Sequence, residues 1–169
     1  YYIGFDFSKF EFSDLIINSN QKAVEKIQTM ENSVAIHVRR GDYIGSVHDV
    51  LDEHYYINAM NKMQEMLVNP NFIVFSNGMD WVRDKILPAV TGNIILFEEN
   101  DNDSGANDLY LISKCDHQII ANSSFSFHAA LLNQNKNKII VSPLKWMNSE
   151  DAMYSGHDSA MAVPGWIVI

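Results

Sequence analysis

Two adjacent arginines, a glycine and an aspartate, Arg39-Arg40-Gly41-Asp42, follow the apolar run Val34-Ala35-Ile36 and turn a buried pattern abruptly into a charged one. Guanidinium groups at a strand end can grip an anion through forked hydrogen bonds, a geometry that the point charge of a lysine lacks. Gly41 lets the backbone turn, and Asp42 can orient one arginine or take a proton. The same residues also fit a surface loop with an internal Arg–Asp ion pair, so the stretch alone leaves both readings open. A second candidate anion site is Asn122-Ser123-Ser124-Phe125-Ser126. Serines at a helix start leave backbone N–H groups to meet a phosphate, helped by the helix dipole, although plain N-capping gives the same pattern. His37 ends the apolar run, either as a satisfied core histidine or as a ligand group that can both donate and accept. Asp108 opens a helix, either as a dipole-favoured first-turn acid or as an acceptor for the two ring N–H groups of a guanine.

The elements that must position these residues follow a rhythm from residue 34 onward. Val34–Val38, Phe72–Phe75, Asn93–Phe97, His117–Ala121 and Lys138–Val141 read as buried strands. Between them lie helical patterns. Asp52 is an N-cap before Tyr56, Met60, Met63 and Leu67 on one face, and Asn69-Pro70-Asn71 is the stop. Met79, Val82 and Ile86 line a short helix ended by Pro88. Asp108 to Cys115 and Ser124 to about Asn133 make two more, the second capped by Asn122-Ser123-Ser124. Residues 1–33 are hard to read, with a short helix expected between Asn20 and Met30, and the chain after Ser142 reads as irregular. Apolar strands alternating with helices predict an α/β fold: a Rossmann-like parallel sheet of about five strands with helices on both faces. Such sheets bind ligands at the carboxyl ends of their strands. The polar stretches His37–Asp42, Ser76–Gly78, Glu98–Asp103 and Asn122–Ser124 all fall at those ends, so they are expected to meet at one crevice.

Composition narrows the classes. At 169 residues, with 47% hydrophobic and 20% charged residues, the chain has the make-up of one globular domain. A formal net charge of -9 argues against nucleic-acid binding. Its single cysteine, Cys115, has no internal partner and reads as packing. Arg40-Gly41-Asp42 spells an adhesion tripeptide, a reading set aside because the residues are expected to line a crevice. Asp101-Asn102-Asp103 has the look of a metal-binding D-x-D, but its acidic neighbours make it a solvated turn. There is no zinc spacing and no glycine-rich nucleotide loop, so no metal site is expected. No apolar run has transmembrane length, and no leader pattern opens the chain.

The blocks HVRRGDY (residues 37–43), EHYYINAM (53–60), FIVFSNGMDWV (72–82), NDLYLISKCDHQIIANSSFSF (107–127), NKIIVSPLKW (137–146) and VPGWIVI (163–169) together resemble the α-1,2-fucosyltransferases of glycosyltransferase family 11. The resemblance covers roughly residues 34–169. It implies inverting transfer of L-fucose from GDP-β-L-fucose to a galactoside hydroxyl on a glycan acceptor, with no cofactor required. It further implies a two-domain GT-B arrangement in which residues 34–169 are the GDP-sugar-binding domain. The family's opening glycine-rich block is absent and the chain begins at Tyr1. It is therefore expected to be the donor-binding half, with residues 1–33 joining it to an acceptor-side half. Departures lie at Ser76-Asn77-Gly78, where the family usually has Ser-Asp-Asp, and at Phe127-His128-Ala129, where it usually has Trp-Trp-Gly.

On this resemblance Arg40, with Arg39, neutralises the leaving diphosphate, and N–H groups of Ser123, Ser124 and Phe125 add fixed donors. Asp108 and His37 hold the guanine and its ribose, and Ser76 and Asn77 line the donor site. Asp42 is the candidate base. A bacterial source would place such an enzyme in the cytoplasm, with peripheral contact at the inner membrane face through the glycan pathway. The alternatives are a GDP-sugar-binding module without catalysis and, remotely, an adhesion protein using Arg40-Gly41-Asp42.

Overall fold

Runs of β-branched and aromatic residues favour extended backbone. In the computed structural model, which describes residues 7–98, 105–148 and 161–169, these runs become strands β1 (Ser33–Val38), β2 (Asn71–Ser76), β3 (Asn93–Leu96), β4 (His117–Ile119) and β5 (Ile140–Ser142). A two-residue β6 (Ile167–Val168) adds a sixth, beside β5. Its brevity hid it among irregular sequence. Every pairing is parallel, and the strands lie in the order β3-β2-β1-β4-β5-β6. The chain steps outward from β1 to β3, then returns to place β4 on the other side of β1. That reversal opens a crevice at the carboxyl ends, where doubly wound sheets take their ligands.

Helices cover both faces. They are α1 (Asp14–Ser19), α2 (Gln21–Gln28), α3 (Glu53–Met66), α4 (Met79–Trp81), α5 (Gly105–Lys114) and α6 (Ser124–Leu132). Val34, Ile36, Val38, Phe72 and Val74 face Tyr56, Met60 and Met63 of α3 together with Val82 and Ile86. Ala35, Ile73 and Phe75 face the opposite layer, built from Ile27 of α2, Leu111 and Ile112 of α5 and Ala129 of α6. Alternate residues of one strand thus enter different cores, as the pleat requires.

Local chemistry sets the ends. The Asp52 carboxylate accepts the N–H groups of His54 at 3.0 Å and Tyr55 at 3.3 Å, capping α3. Beyond Met66, Asn69 takes a positive φ of 48° before Pro70. The single helix expected up to Pro88 is instead a composite: α4 widens into a π-turn at Val82–Ile86 and tightens into a 3-10 turn at Leu87–Ala89. Pro88 has no N–H with which to continue an α pattern. The D-x-D stretch, Asp101–Asp103, lies outside the described residues.

Two polar ties hold the elements together, one between α3 and the sheet and one within the sheet. The Tyr55 hydroxyl of α3 donates to the Ile120 carbonyl at 2.6 Å. At the amino end, the Asp116 carboxylate accepts the Ser33 N–H at 3.0 Å and its hydroxyl at 2.9 Å, setting β1 against β4. Tyr55→Phe keeps the ring and removes the donor, and should cost about 1 kcal/mol. Urea unfolding should show a lower midpoint at unchanged slope; an unchanged midpoint would mean the hydroxyl contributes nothing.

Candidate functional site

Side-chain alternation along β1 decides where the two arginines go. His37 pairs with Phe75 of β2, on the face that meets α5 and α6. Arg39, two residues on, keeps that side, while Arg40 follows Val38 to the face of α3 and α4. The structure bears this parity: Arg39 lines a crevice together with His37, and Arg40 lines a separate depression with Leu51 and Trp81.

The crevice has a volume of about 530 Å³, within the usual span for a small-molecule site. It sits at the carboxyl ends of β1, β2 and β3 and is closed by the first turns of α5 and α6. His37, Arg39, Ser76, Asn77, Asp108 and Phe125 meet around it. Sequence reading missed Phe75, Met79 and Phe97 as lining residues. Phe75 and Phe97 lie 5.0 Å apart between ring centres and form an apolar wall. Their position, Phe75 near the end of β2 and Phe97 just past β3, was the available signal. Glu98 also lines the crevice, its carboxylate held by Arg83 at 2.6 Å.

Arg39 Nη2 meets the Asp42 carboxylate at 2.8 Å, its guanidinium stands 5.6 Å from the Tyr43 ring centre, and its Nε is buried without a hydrogen-bond partner. The loop therefore carries the internal Arg–Asp ion pair, with Arg39 also at the crevice wall. Arg40 is engaged elsewhere. Its Nη1 donates to Asp49 at 3.2 Å and to the Leu51 carbonyl at 3.2 Å, and its guanidinium lies 4.6 Å over the Trp81 ring. The structure therefore places Arg39, and not Arg40, at the crevice that His37 and Asp108 also line. Arg40 is also withdrawn from the presentation an adhesion tripeptide needs, since its side chain is only 16% exposed.

At the α6 start the structure shows the capping alternative. The Ser123 hydroxyl accepts the Phe125 N–H at 3.3 Å, so that donor serves the cap. Ser123 and Ser124 are absent from the crevice lining, and Phe125 reaches it with its ring, 5.1 Å from that of His37. Asn122, read as part of the helix cap, is a cross-brace. Its buried amide donates to the His48 carbonyl at 2.9 Å and to the Trp146 carbonyl at 2.7 Å, while the Tyr43 hydroxyl donates to the Asn122 carbonyl at 3.4 Å. Asn122 thus joins the loops after β1, β4 and β5, and the Asn148 N–H adds a direct tie from the last to the first by donating to the Val47 carbonyl at 2.6 Å.

Burial, and secondarily the charge of Arg39, holds the His37 imidazole down to about 3, and its Nδ1 has no hydrogen-bond partner. The ring is therefore neutral beside the arginine, with polar nitrogen left for a ligand. Asp42 is held below the usual carboxylate range, chiefly by its hydrogen bond from Arg39. A carboxylate so held orients the guanidinium well and accepts protons poorly. The His37 shift carries a pH signature. Unfolded chain takes up this proton near 6.5 and folded chain only near 3, so the contribution is intact above 6.5 and is lost as pH falls toward 3. His37→Gln should flatten the decline in stability between pH 6.5 and 4, measured by urea unfolding; parallel curves for both proteins would assign the decline to other groups.

Among the described residues there is no cluster of three or more potential metal ligands and no helix long and apolar enough to cross a membrane. Comparison with known proteins gives this crevice its relatives. An O-antigen biosynthesis glycosyltransferase, WbnK, of Escherichia coli is 33% identical over 142 residues, which is 80% of this chain and 44% of that protein. An alpha-1,2-colitosyltransferase of Escherichia coli is 31% identical over 147 residues, 83% of this chain and 50% of that protein. Galactoside alpha-(1,2)-fucosyltransferase 2 of Bos taurus is 34% identical over 104 residues, 59% of this chain and 30% of that protein. The chain spans about half the length of the first two of these curated relatives. The family profile described as glycosyl transferase family 11 matches residues 1–169 from end to end, and the chain belongs to that family.

Proposed function

We propose that the chain is the donor-binding half of an inverting glycosyltransferase that moves L-fucose from GDP-β-L-fucose to a galactoside hydroxyl in α-1,2 linkage. The observation that carries this is the meeting of His37, Arg39 and Asp108, from separate stretches of sequence, around one crevice at the strand carboxyl ends. Two of the relatives bear an α-1,2 linkage in their names, one for fucose and one for colitose. In this reading the guanine edge lies against Asp108 in the first turn of α5, and the neutral imidazole of His37 serves the ribose hydroxyls. The diphosphate meets Arg39.

As the bond from the anomeric carbon to the diphosphate breaks, negative charge grows on the leaving phosphate. A guanidinium already oriented by Asp42 and Tyr43 stabilises that charge without reorganising, which is where catalytic electrostatics act most strongly. The acceptor hydroxyl attacks from the opposite face and loses its proton to a base, giving inversion. The Asp42 carboxylate is engaged with Arg39, so the base is assigned to the acceptor side.

Calorimetric titration tests the donor site. GDP should bind, with the same affinity in EDTA, because the neutralising charge is an arginine. Asp108→Ala should weaken GDP while leaving the weaker UDP binding unchanged; equal losses for both would make Asp108 structural. Arg39→Ala should lower GDP affinity by roughly 10- to 100-fold, the cost of a charged hydrogen-bond donor. Arg40→Ala should lower it much less and should lower the melting temperature instead. A larger GDP loss from Arg40→Ala than from Arg39→Ala would return Arg40 to the diphosphate. Displacement of GDP by GDP-L-fucose, read in the same titration, checks the sugar.

A further inference from the structure

Parallel register sets Val38 opposite Ser76, so the first residue past the end of β2, Asn77, stands beside the arginine pair. Its Oδ1 accepts the backbone N–H of Arg40 at 2.8 Å. Two glycines make that contact possible. A Cβ on Gly41 would stand 2.5 Å from Asn77 Nδ2 and 3.3 Å from its Cγ, so the amide packs directly on the Gly41 backbone. A Cβ on Gly78 would stand 2.8 Å from Arg40 Cβ and 3.1 Å from its Cγ, so the Arg40 stem occupies the space a side chain would need. The Ser76 hydroxyl accepts the Gly78 N–H at 2.9 Å and holds this turn in shape. The loops after β1 and β2 are interlocked, and the tie falls on the peptide that joins the two arginines.

We infer that Asn77 is a positioning residue: by holding the Arg40 N–H it fixes the rotation of the Arg39–Arg40 peptide, keeping Arg39 in the crevice and Arg40 on Trp81. The inference rests on the donor-binding reading above and names what orients its principal cation. Without the tie, the peptide can rotate and the Arg39 stem shifts, leaving the guanidinium to its Asp42 and Tyr43 contacts alone, though the sheet beneath is untouched. Only an acceptor oxygen is required of residue 77, and the carboxylate usual at this position in the resembling family supplies one. Asn77 also lines the crevice and is exposed, so the rival role is direct donation from its Nδ2 to a phosphate. That role predicts the opposite behaviour on conversion to aspartate.

Three proteins separate the two: wild type, Asn77→Asp and Asn77→Ala, each titrated with GDP and with GMP. In wild type GDP should bind more tightly than GMP, because the second phosphate reaches Arg39. Asn77→Ala should shrink that preference by roughly fivefold, the range of one neutral hydrogen bond acting through position. Asn77→Asp should keep most of it. Amide hydrogen exchange reads the tie independently of ligand: the Arg40 N–H should exchange faster in Asn77→Ala than in wild type or Asn77→Asp. Wild type that fails to bind GDP overturns the donor reading. Wild type that binds GDP, with the preference unchanged in Asn77→Ala or lowest in Asn77→Asp, overturns the positioning role alone. An equal Arg40 exchange rate in all three proteins does so as well.

Discussion

Side chains alternate along a strand, and a sheet packed on both faces gives that alternation no slack. All six residues of β1 are buried. A slip of one residue would send Val34, Ile36 and Val38 into the layer shaped for Ala35 and His37, and the reverse. The hydrophobic requirement along β1 therefore also sets the direction of the polar residues that follow it. His37 and Arg39 go to the crevice, and Arg40 goes to Trp81. Packing in the middle of the sheet thus decides the electrostatics at its edge.

Those electrostatics depend on which groups are charged. The chain is strongly acidic, yet the crevice presents a guanidinium whose close neighbour His37 is kept neutral by burial. A charged imidazole there would repel Arg39; a neutral one can accept or donate at no electrostatic cost. Asp42 compensates the guanidinium from the solvent side, at 60% exposure of its side chain. Water weakens that ion pair, so Arg39 keeps much of its attraction for an anion inside the crevice. The Trp81 face that holds Arg40 keeps the second guanidinium apart from the first.

What could be read from sequence was what nearest neighbours determine. Apolar runs, the Asp52 cap and the Asn69-Pro70 stop are written in adjacent residues, and they gave the strands, α3 and the strand-end crevice. The choice between Arg39 and Arg40 was also legible in principle. Counting alternation from Val38 and His37 separates them, whereas reading Arg-Arg as one block does not. The Asn122 brace was not legible, since its partners His48 and Trp146 are remote in sequence and meet only when β1, β4 and β5 are aligned. At the α6 start the cap was legible as one of two uses of the serines, but not which of the two would take the Phe125 N–H. A serine before a helix suits a phosphate and a cap equally, and only the hydroxyl's orientation tells them apart. β6 escaped because two residues carry no period, and its pairing with β5 is purely tertiary.

The Asn122 amide spends both of its N–H groups on carbonyls of two different loops, one after β1 and one after β5. Neither loop can swing away from the sheet edge while that bracket holds. A loop tethered at a shared point loses its independence of motion: opening one strips a partner from the bracket and lowers the barrier for the other. Local fluctuations near the rim should then be collective, a single small foldon made of pieces almost a hundred residues apart along the chain. Flexibility at this edge of the molecule is shared through the bracket and through the Asn148–Val47 backbone bond beside it.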